Sequence, residues 1–301
     1  MMAKILKVHS VNDYADYIGA PRLHPLVSVI HYDELEHCRH SLNNYDVYAM
    51  FIADEALPEL VYGLTRYDLR QCALMCVAPG QIGGKTDTGE EIQTRGWALL
   101  FDPQLLHGTH LDARMPRYSF FSYNINEALL MDENQREAIV THFERIRDEL
   151  SNGGHDAHTQ NIVVALIEVV LEYVARFYAA QLASPQPKNS DILTRFENLL
   201  RNYYNEGLQK KYGIPTVKYC AQELFLSPNY FGDLVKQMTG DTATNTIKRF
   251  VMQRAKALLI GGSSVSQVSE EIGFDYPQHF TRQFKSYFGV TPSSFLKKRE
   301  M

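Results

Sequence analysis

Cysteine is scarce in this chain. Four occur in 301 residues, Cys38, Cys72, Cys76 and Cys220, and no two stand in a Cys-x-x-Cys spacing. That excludes a zinc ribbon or a dithiol redox motif and fits reduced thiols in a cytoplasmic setting. Cys72, Leu74 and Cys76 alternate as small apolar residues of a strand would. No His-x-His pair is present. The pair His107-Gly-Thr-His110 lacks a carboxylate at metal-motif spacing, so neither metal nor cofactor is expected. Gly80-Gln-Ile-Gly-Gly-Lys85-Thr86 has three residues, not four, between its outer glycine and Gly-Lys, and it runs into polar residues. It reads as a hairpin or loop turn rather than a phosphate loop. No Ser/His/Asp or Cys/His set stands in a recognisable context, which argues against an enzyme. Long apolar runs are also missing. The first residues carry no apolar segment of signal-peptide type, and the most apolar helical stretch, 161–177, is interrupted by Glu168, Glu172 and Arg176, so no membrane span is expected.

What the chain does have is a repeat in its last ninety or so residues. Val217-Lys-Tyr-Cys-Ala-Gln-Glu-Leu-Phe-Leu-Ser-Pro-Asn-Tyr-Phe231 is echoed by Ser266-Gln-Val-Ser-Glu-Glu-Ile-Gly-Phe-Asp-Tyr-Pro-Gln-His-Phe280. Cys220, Ala221, Leu224 and Leu226 match Val268, Ser269, Ile272 and Phe274 at an offset of 48, whereas Asn229, Phe231, Val235, Lys236 and Gly240 match Gln278, Phe280, Phe284, Lys285 and Gly289 at 49. The second copy therefore has a turn one residue longer. Each copy reads as helix, tight turn, helix.

The second helix of each copy has one apolar stripe: Phe231, Leu234, Val235 and Met238 in the first, Phe280, Phe284 and Phe288 in the second. Ser227 with Pro228, and Pro277 in the other copy, suit helix starts; Gly240 and Gly289 suit helix ends. The opposite faces carry Asn229, Gly232, Asp233 and Lys236 in copy one and Gln278, Thr281, Arg282 and Lys285 in copy two, with His279 beside them. Asn and Gln pair with adenine and Arg with guanine, while Lys and hydroxyl groups more often touch phosphate. One such face alone would ordinarily be a solvated surface; two matched faces on two such units point to double-stranded DNA. Gly232 has no side chain to reach a base and Asp233 repels phosphate, so copy two is expected to read sequence more strongly.

Between the copies, 246–260 reads as one long helix with a stripe of Ile247, Phe250, Val251, Ala255, Leu258 and Leu259. Lys248, Arg249, Arg254 and Lys256 fill the remainder, for phosphate or simply for solubility. Charge is divided accordingly. Residues 188–301 hold 16 Lys+Arg against 10 Asp+Glu, a net of +6; residues 1–187 hold 14 against 25, a net of −11; the whole is −5. The basic part is the part with the repeat.

The front part reads as short strands at 26–30, 47–52, 72–77, 97–101 and 118–123, a barrel or sandwich, followed by helices at 132–150 and 158–182. Ala183-Ser-Pro-Gln-Pro-Lys-Asn-Ser190 has linker composition, and a helix restarts at 191–204. Two domains follow, 1–182 and 191–301, joined by 183–190. In the first, Tyr48, Tyr62 and Trp97 are candidate stacking surfaces for a small molecule, with Arg95 or His31 as polar anchor; each aromatic has core packing as its alternative.

The residues of the second part resemble those of the AraC/XylS (arabinose-regulator) family of bacterial transcription factors. The resemblance rests on Ala221 and Leu224, Ser227-Pro-Asn-Tyr-Phe231, Lys236, Thr239-Gly240, Arg254-Ala-Lys-Ala-Leu-Leu259, Ile272-Gly-Phe274, Phe280, Phe284-Lys285 and Phe288-Gly-Val-Thr-Pro292, spanning roughly 190–300. Ser269 stands where the family usually has Ala, Ala243 where many members have Pro, and Leu296 where Arg often follows. The resemblance implies an α+β chain: an N-terminal cupin-like β-barrel whose helices form a homodimer, and a C-terminal double helix-turn-helix. The expected DNA-binding set is Ser227, Asn229, Asp233, Lys236, Arg249, Gln278, His279, Thr281, Arg282 and Lys285. Promoter or operator DNA, RNA polymerase and a small-molecule effector are the implied partners. The alternative is a ligand-independent or architectural regulator whose front domain only dimerises.

Overall fold

The computed structural model describes residues 5–39, 41–54, 57–62, 65–69, 72–84, 91–124, 127–152, 156–184 and 187–297, the side chains of 38, 57–69, 187–190 and 297 excepted. It divides into two compact units, Met1–Gln181 and Leu182–Met301.

Unit 1 is built on strands β1 (Ile5–Val8), β2 (Val27–His31), β3 (Cys38–Arg39), β4 (Leu42–Tyr45), β5 (Tyr48–Ala53), β6 (Leu57–Tyr62), β7 (Thr65–Leu69), β8 (Cys72–Val77), β9 (Gln81–Gly84), β10 (Glu91–Ile92), β11 (Gly96–Phe101) and β12 (Leu129–Met131). Five of them form an antiparallel sheet in the order β12-β8-β5-β11-β2. A three-stranded sheet, β1-β4-β9, pairs β1 parallel and β9 antiparallel to β4. The remaining strands pair as β10-β3 and β6-β7. Among the described residues these sheets do not close into one continuous barrel, so the expected cupin-like barrel is an open one.

The large sheet is covered on both faces, and β11 explains why its sequence is apolar throughout: every residue from Gly96 to Phe101 is buried. Trp97, Leu99 and Phe101 point to a core shared with Met50, Ile52 and Leu74 of the sheet and with two helices, α4 (Glu133–Asn152) and α5 (Ala157–Ala183). Ala98 and Leu100 point the other way. There they meet Tyr45 of the small sheet and Val11, Tyr14 and Ala15 of α1 (Val11–Ile18). Short helices α2 (Pro103–Leu106) and α3 (His110–Arg114) follow β11.

The expected strand at 118–123 is instead a tight 3-10 turn over Ser119–Ser122. The aromatics account for this. Consecutive Phe120 and Phe121 are both buried in one core, Phe120 stacking on Tyr178 at 5.7 Å and Phe121 edge-on to Tyr48 at 5.0 Å. A strand would send neighbouring side chains to opposite faces. The helices also encroach on the expected linker: α5 runs to Ala183 and α6 (Pro187–Asn205) begins four residues later.

Unit 2 is all helical: α6, α7 (Gln209–Tyr212), α8 (Val217–Glu223), α9 (Pro228–Thr239), α10 (Ala243–Ile260), α11 (Val265–Glu271), α12 (Pro277–Phe288) and α13 (Pro292–Lys297). Its core holds Phe196, Phe231 and Leu234 under copy one and Val268, Phe280 and Phe284 under copy two. Phe196 meets Phe231 edge-on at 4.9 Å; Phe284 contacts Phe280, Phe288 and Phe295. Polar ties complete it. The Tyr204 hydroxyl donates to Ile272 O at 3.2 Å and the Gln209 amide to Glu271 O at 3.1 Å.

Ser269, at the position matching Ala221, is buried and its hydroxyl has no hydrogen-bond partner. A buried unpaired hydroxyl costs about 1–3 kcal/mol. Ser269→Ala is therefore expected to stabilise unit 2 by about 1 kcal/mol or more, read as a higher denaturation midpoint; an unchanged or lower midpoint contradicts this packing.

Candidate nucleic-acid interface

The starts of α8 to α11 are each closed by a short side-chain oxygen. Thr216 Oγ1 accepts from Tyr219 N–H, Ser227 Oγ from Tyr230 N–H at 3.2 Å, Thr242 Oγ1 from Asn245 N–H, and Ser264 forms a reciprocal capping box with Gln267. The glycines expected to end α9 and α12, Gly240 and Gly289, do so in the left-handed conformation.

The two second helices, α9 and α12, bury their apolar stripes and leave different faces outside. On α12, Gln278, His279, Arg282 and Lys285 are exposed and Thr281 is half-buried. On α9, Asn229 and Lys236 are exposed, Gly232 and Asp233 are half-buried, and Tyr230, the counterpart of His279, is buried. Ser227 is buried as the cap of α9 and so is committed to its own helix. The expected residues thus fall into a fuller polar face on copy two and a sparser one on copy one.

On α10, Arg249 is exposed, but two of its basic neighbours are engaged within unit 2. The Arg254 guanidinium lies over the Tyr204 ring at 5.1 Å, and Lys256 Nζ is 5.6 Å from the Phe288 ring and 5.9 Å from that of Phe295. These contacts tie α10 to α6, α12 and α13.

Of the candidate ligand residues of unit 1, the structure brings His31 and Trp97 into contact and stacks Tyr48 elsewhere on the same sheet. Trp97 is buried between the His31 ring, stacked at 4.1 Å and 9°, and the Arg147 guanidinium at 5.1 Å. Tyr48 stacks on Phe101 at 5.1 Å. Both lie on the sheet face that packs against α4 and α5. Arg95 is largely exposed, 3.9 Å from Asp33, and the Tyr62 side chain lies outside the described residues. His107 and His110 are engaged separately, with Asp112 and Glu168. Gly80 makes a turn into β9; Lys85 and Thr86 lie outside the described residues. Burial pushes the Cys72 and Cys220 thiols up to about 12, so both stay protonated and unreactive at neutral pH.

Two features escaped the sequence reading. Phe225, in the turn of copy one, has φ of 59° and is 65% exposed; its counterpart in copy two is Gly273, with φ of 87°. Tyr276, at the start of α12, is 60% exposed. Comparing the two turns residue by residue would have flagged both.

A family model described as a helix-turn-helix domain matches residues 220–298, which spans α8 to α13 almost entirely. Residues 220–298 are an AraC-type helix-turn-helix domain. An uncharacterized transcriptional regulatory protein of Bacillus subtilis, YesN, is 41% identical over 88 residues, 28% of this chain and 24% of that protein. The Msm operon regulatory protein of Streptococcus mutans is 23% identical over 138 residues, 46% of this chain and 47% of its own. The chain thus spans from a quarter to half of the length of these two relatives. Among solved structures, the C-terminal domain of the response regulator YesN from Fusobacterium nucleatum is 24% identical, with a TM-score of 0.29 over 33% of this chain and 96% of that one. ToxT from Vibrio cholerae is 14% identical, with a TM-score of 0.29 over 90% of this chain and 98% of its own. No helix among the described residues is long and apolar enough to cross a membrane.

In the AraC-type domain the two turns differ in what they tolerate. A Cβ on Gly273 would fall 2.9 Å from the Gly213 carbonyl carbon and 3.1 Å from Gln209 O, on a backbone that L-residues avoid. Gly273→Ala is expected to cost at least the 1–2 kcal/mol or so of the left-handed conformation. Phe225→Gly, which relieves the same backbone at an open site, is expected to leave stability unchanged or raise it. Equal losses from both, measured by chemical denaturation, would contradict the turn geometry.

Proposed function

We propose that this protein is a sequence-specific transcriptional regulator that binds promoter or operator double-stranded DNA through two helix-turn-helix units. The observation that carries this reading is the pair of polar faces on α9 and α12, held apart by the single helix α10 in the basic part of the chain. In it, α12 is the main reader. Gln278 suits adenine, Arg282 suits guanine, and Thr281, Lys285 and His279 suit phosphate or base edges. Helix α9 is the weaker, positioning partner through Asn229 and Lys236, with Arg249 adding a phosphate contact from α10. Asp233, half-buried, stays beside this contact without strengthening it.

Unit 1 then acts as the controlling and dimerising part of a cytoplasmic regulator that works on RNA polymerase. The homodimer reading is supported by the outer stripe of α5, where Ile162 and Val169 are exposed and Leu166, Tyr173 and Phe177 are half-buried. Control by a small-molecule effector is supported by a polar spot in the core between the two sheets. The Asn43 amide donates to the Tyr45 hydroxyl at 2.8 Å, while its buried Oδ1 has no partner; Tyr14 and Phe51 lie against the Tyr45 ring. Stabilisation of unit 1 by a metabolite, blunted in Asn43→Leu, separates this reading from one in which unit 1 only dimerises.

Selection of bound duplexes from random oligonucleotides tests the DNA reading directly. On the selected duplex, Arg282→Ala is expected to lose about 1–3 kcal/mol and to relax specificity at one position. Asp233→Ala is expected to leave affinity unchanged or raise it. Equal losses from the two variants would contradict the assignment of α12 as main reader.

A further inference from the structure

Tyr276 stands at the N-cap of α12, where the other helix starts of the double motif use Thr or Ser. Its side chain makes no capping hydrogen bond. Copy one solves the same position economically: Ser227 is buried and closes α9 on Tyr230 N–H. Copy two has the longer turn, Asp275-Tyr276 in place of that serine, and everything from Asp275 to His279 is exposed. A tyrosine forgoes the stabilisation of a cap at this position and leaves a large ring 60% in water. Neither change serves the fold. Tyr276 is held in extended backbone, φ −135° and ψ 129°, with its ring edge-on to His279 at 5.5 Å, immediately beside Gln278.

We propose that Tyr276 is a DNA-positioning residue, donating its phenolic hydroxyl to a backbone phosphate at the edge of the groove that α12 enters. This rests on the reading of α12 as a DNA-recognition helix. Tyrosine is among the side chains that fix register through phosphate without carrying sequence information. The ring contact with His279 limits the directions the phenol can take. The absence of a cap bond and the 60% exposure of the ring leave the phenol available at the helix end. Because the phenol is neutral, the contact adds affinity without releasing a counterion.

The test uses the full-length protein and a duplex that it selects from random oligonucleotides, with a scrambled duplex of equal length as the non-specific probe. Tyr276→Phe is expected to weaken binding by about ten- to a hundredfold, the worth of one hydrogen bond to a charged group. The loss should be uniform across single-base variants of the duplex and should leave the salt slope unchanged. Tyr276→Ser, which restores the cap found in copy one, is expected to raise the melting temperature and yet weaken binding. Wild-type affinity in Tyr276→Phe overturns the proposal, as does wild-type affinity in Tyr276→Ser. A loss confined to one base position also overturns it, since that would make Tyr276 a base reader. If the wild-type protein enriches no duplex, the reading of α12 fails, and this proposal fails with it.

Discussion

The rotation of each recognition helix about its own axis is fixed by buried phenylalanine. Phe231 under α9, and Phe280 with Phe284 under α12, are fully enclosed. Turning either helix by one residue would bring a polar side chain into the core and an aromatic out. Removing a buried phenylalanine costs about 3–5 kcal/mol, well above the worth of any single surface contact. The polar faces therefore project where the cores leave them. Helix α10 sets the separation between the two, held to its neighbours by Ile247, Val251, Ala255 and Leu259 and by the cation–π contacts of Arg254 and Lys256. The burden of stability thus falls on the inner helix faces, and most substitutions on the outer face should be tolerated by the fold.

Within that frame the two copies have diverged in what they do with their turns. Copy one keeps a buried cap and accepts an exposed phenylalanine in a backbone conformation that suits glycine. Copy two keeps the glycine, because Gly273 lies against Gly213 with no room for a Cβ, and gives up the cap. Gly273 is locked by contact with the helices that precede the double motif, and the Tyr204 and Gln209 hydrogen bonds fall at the same place. Copy one is tied to the same preceding helices differently, through Phe196 on Phe231 and Tyr203 on Tyr219.

The helical part was legible in the sequence because its signals are local and redundant. The stripe of Phe231, Leu234 and Val235, the cap at Ser227 and the stop at Gly240 all point the same way. The front part was legible only as strands and helices. The run 118–123 looked like a strand because it is aromatic, yet Phe120 and Phe121 are neighbours that share one core. Trp97 looked like a stacking surface and does stack, but on His31 and Arg147 of its own chain. Burial of a ring against a cation or an imidazole depends on what distant segments bring to it, and one stretch of sequence does not reveal that. The same holds for Arg254 and Lys256, left open between phosphate contact and solubility, whose side chains lie over Tyr204 and beside Phe288 and Phe295.

The central claim is that two unequal readers on one helix engage DNA together. Hydroxyl-radical footprinting of the full-length protein on a selected duplex tests it most directly. The account predicts two protected segments on one face of the duplex, centred about one helical turn, ~34 Å, apart, with the segment under α12 surviving to higher salt than the segment under α9. A single protected segment, or two of equal salt resistance, would contradict it.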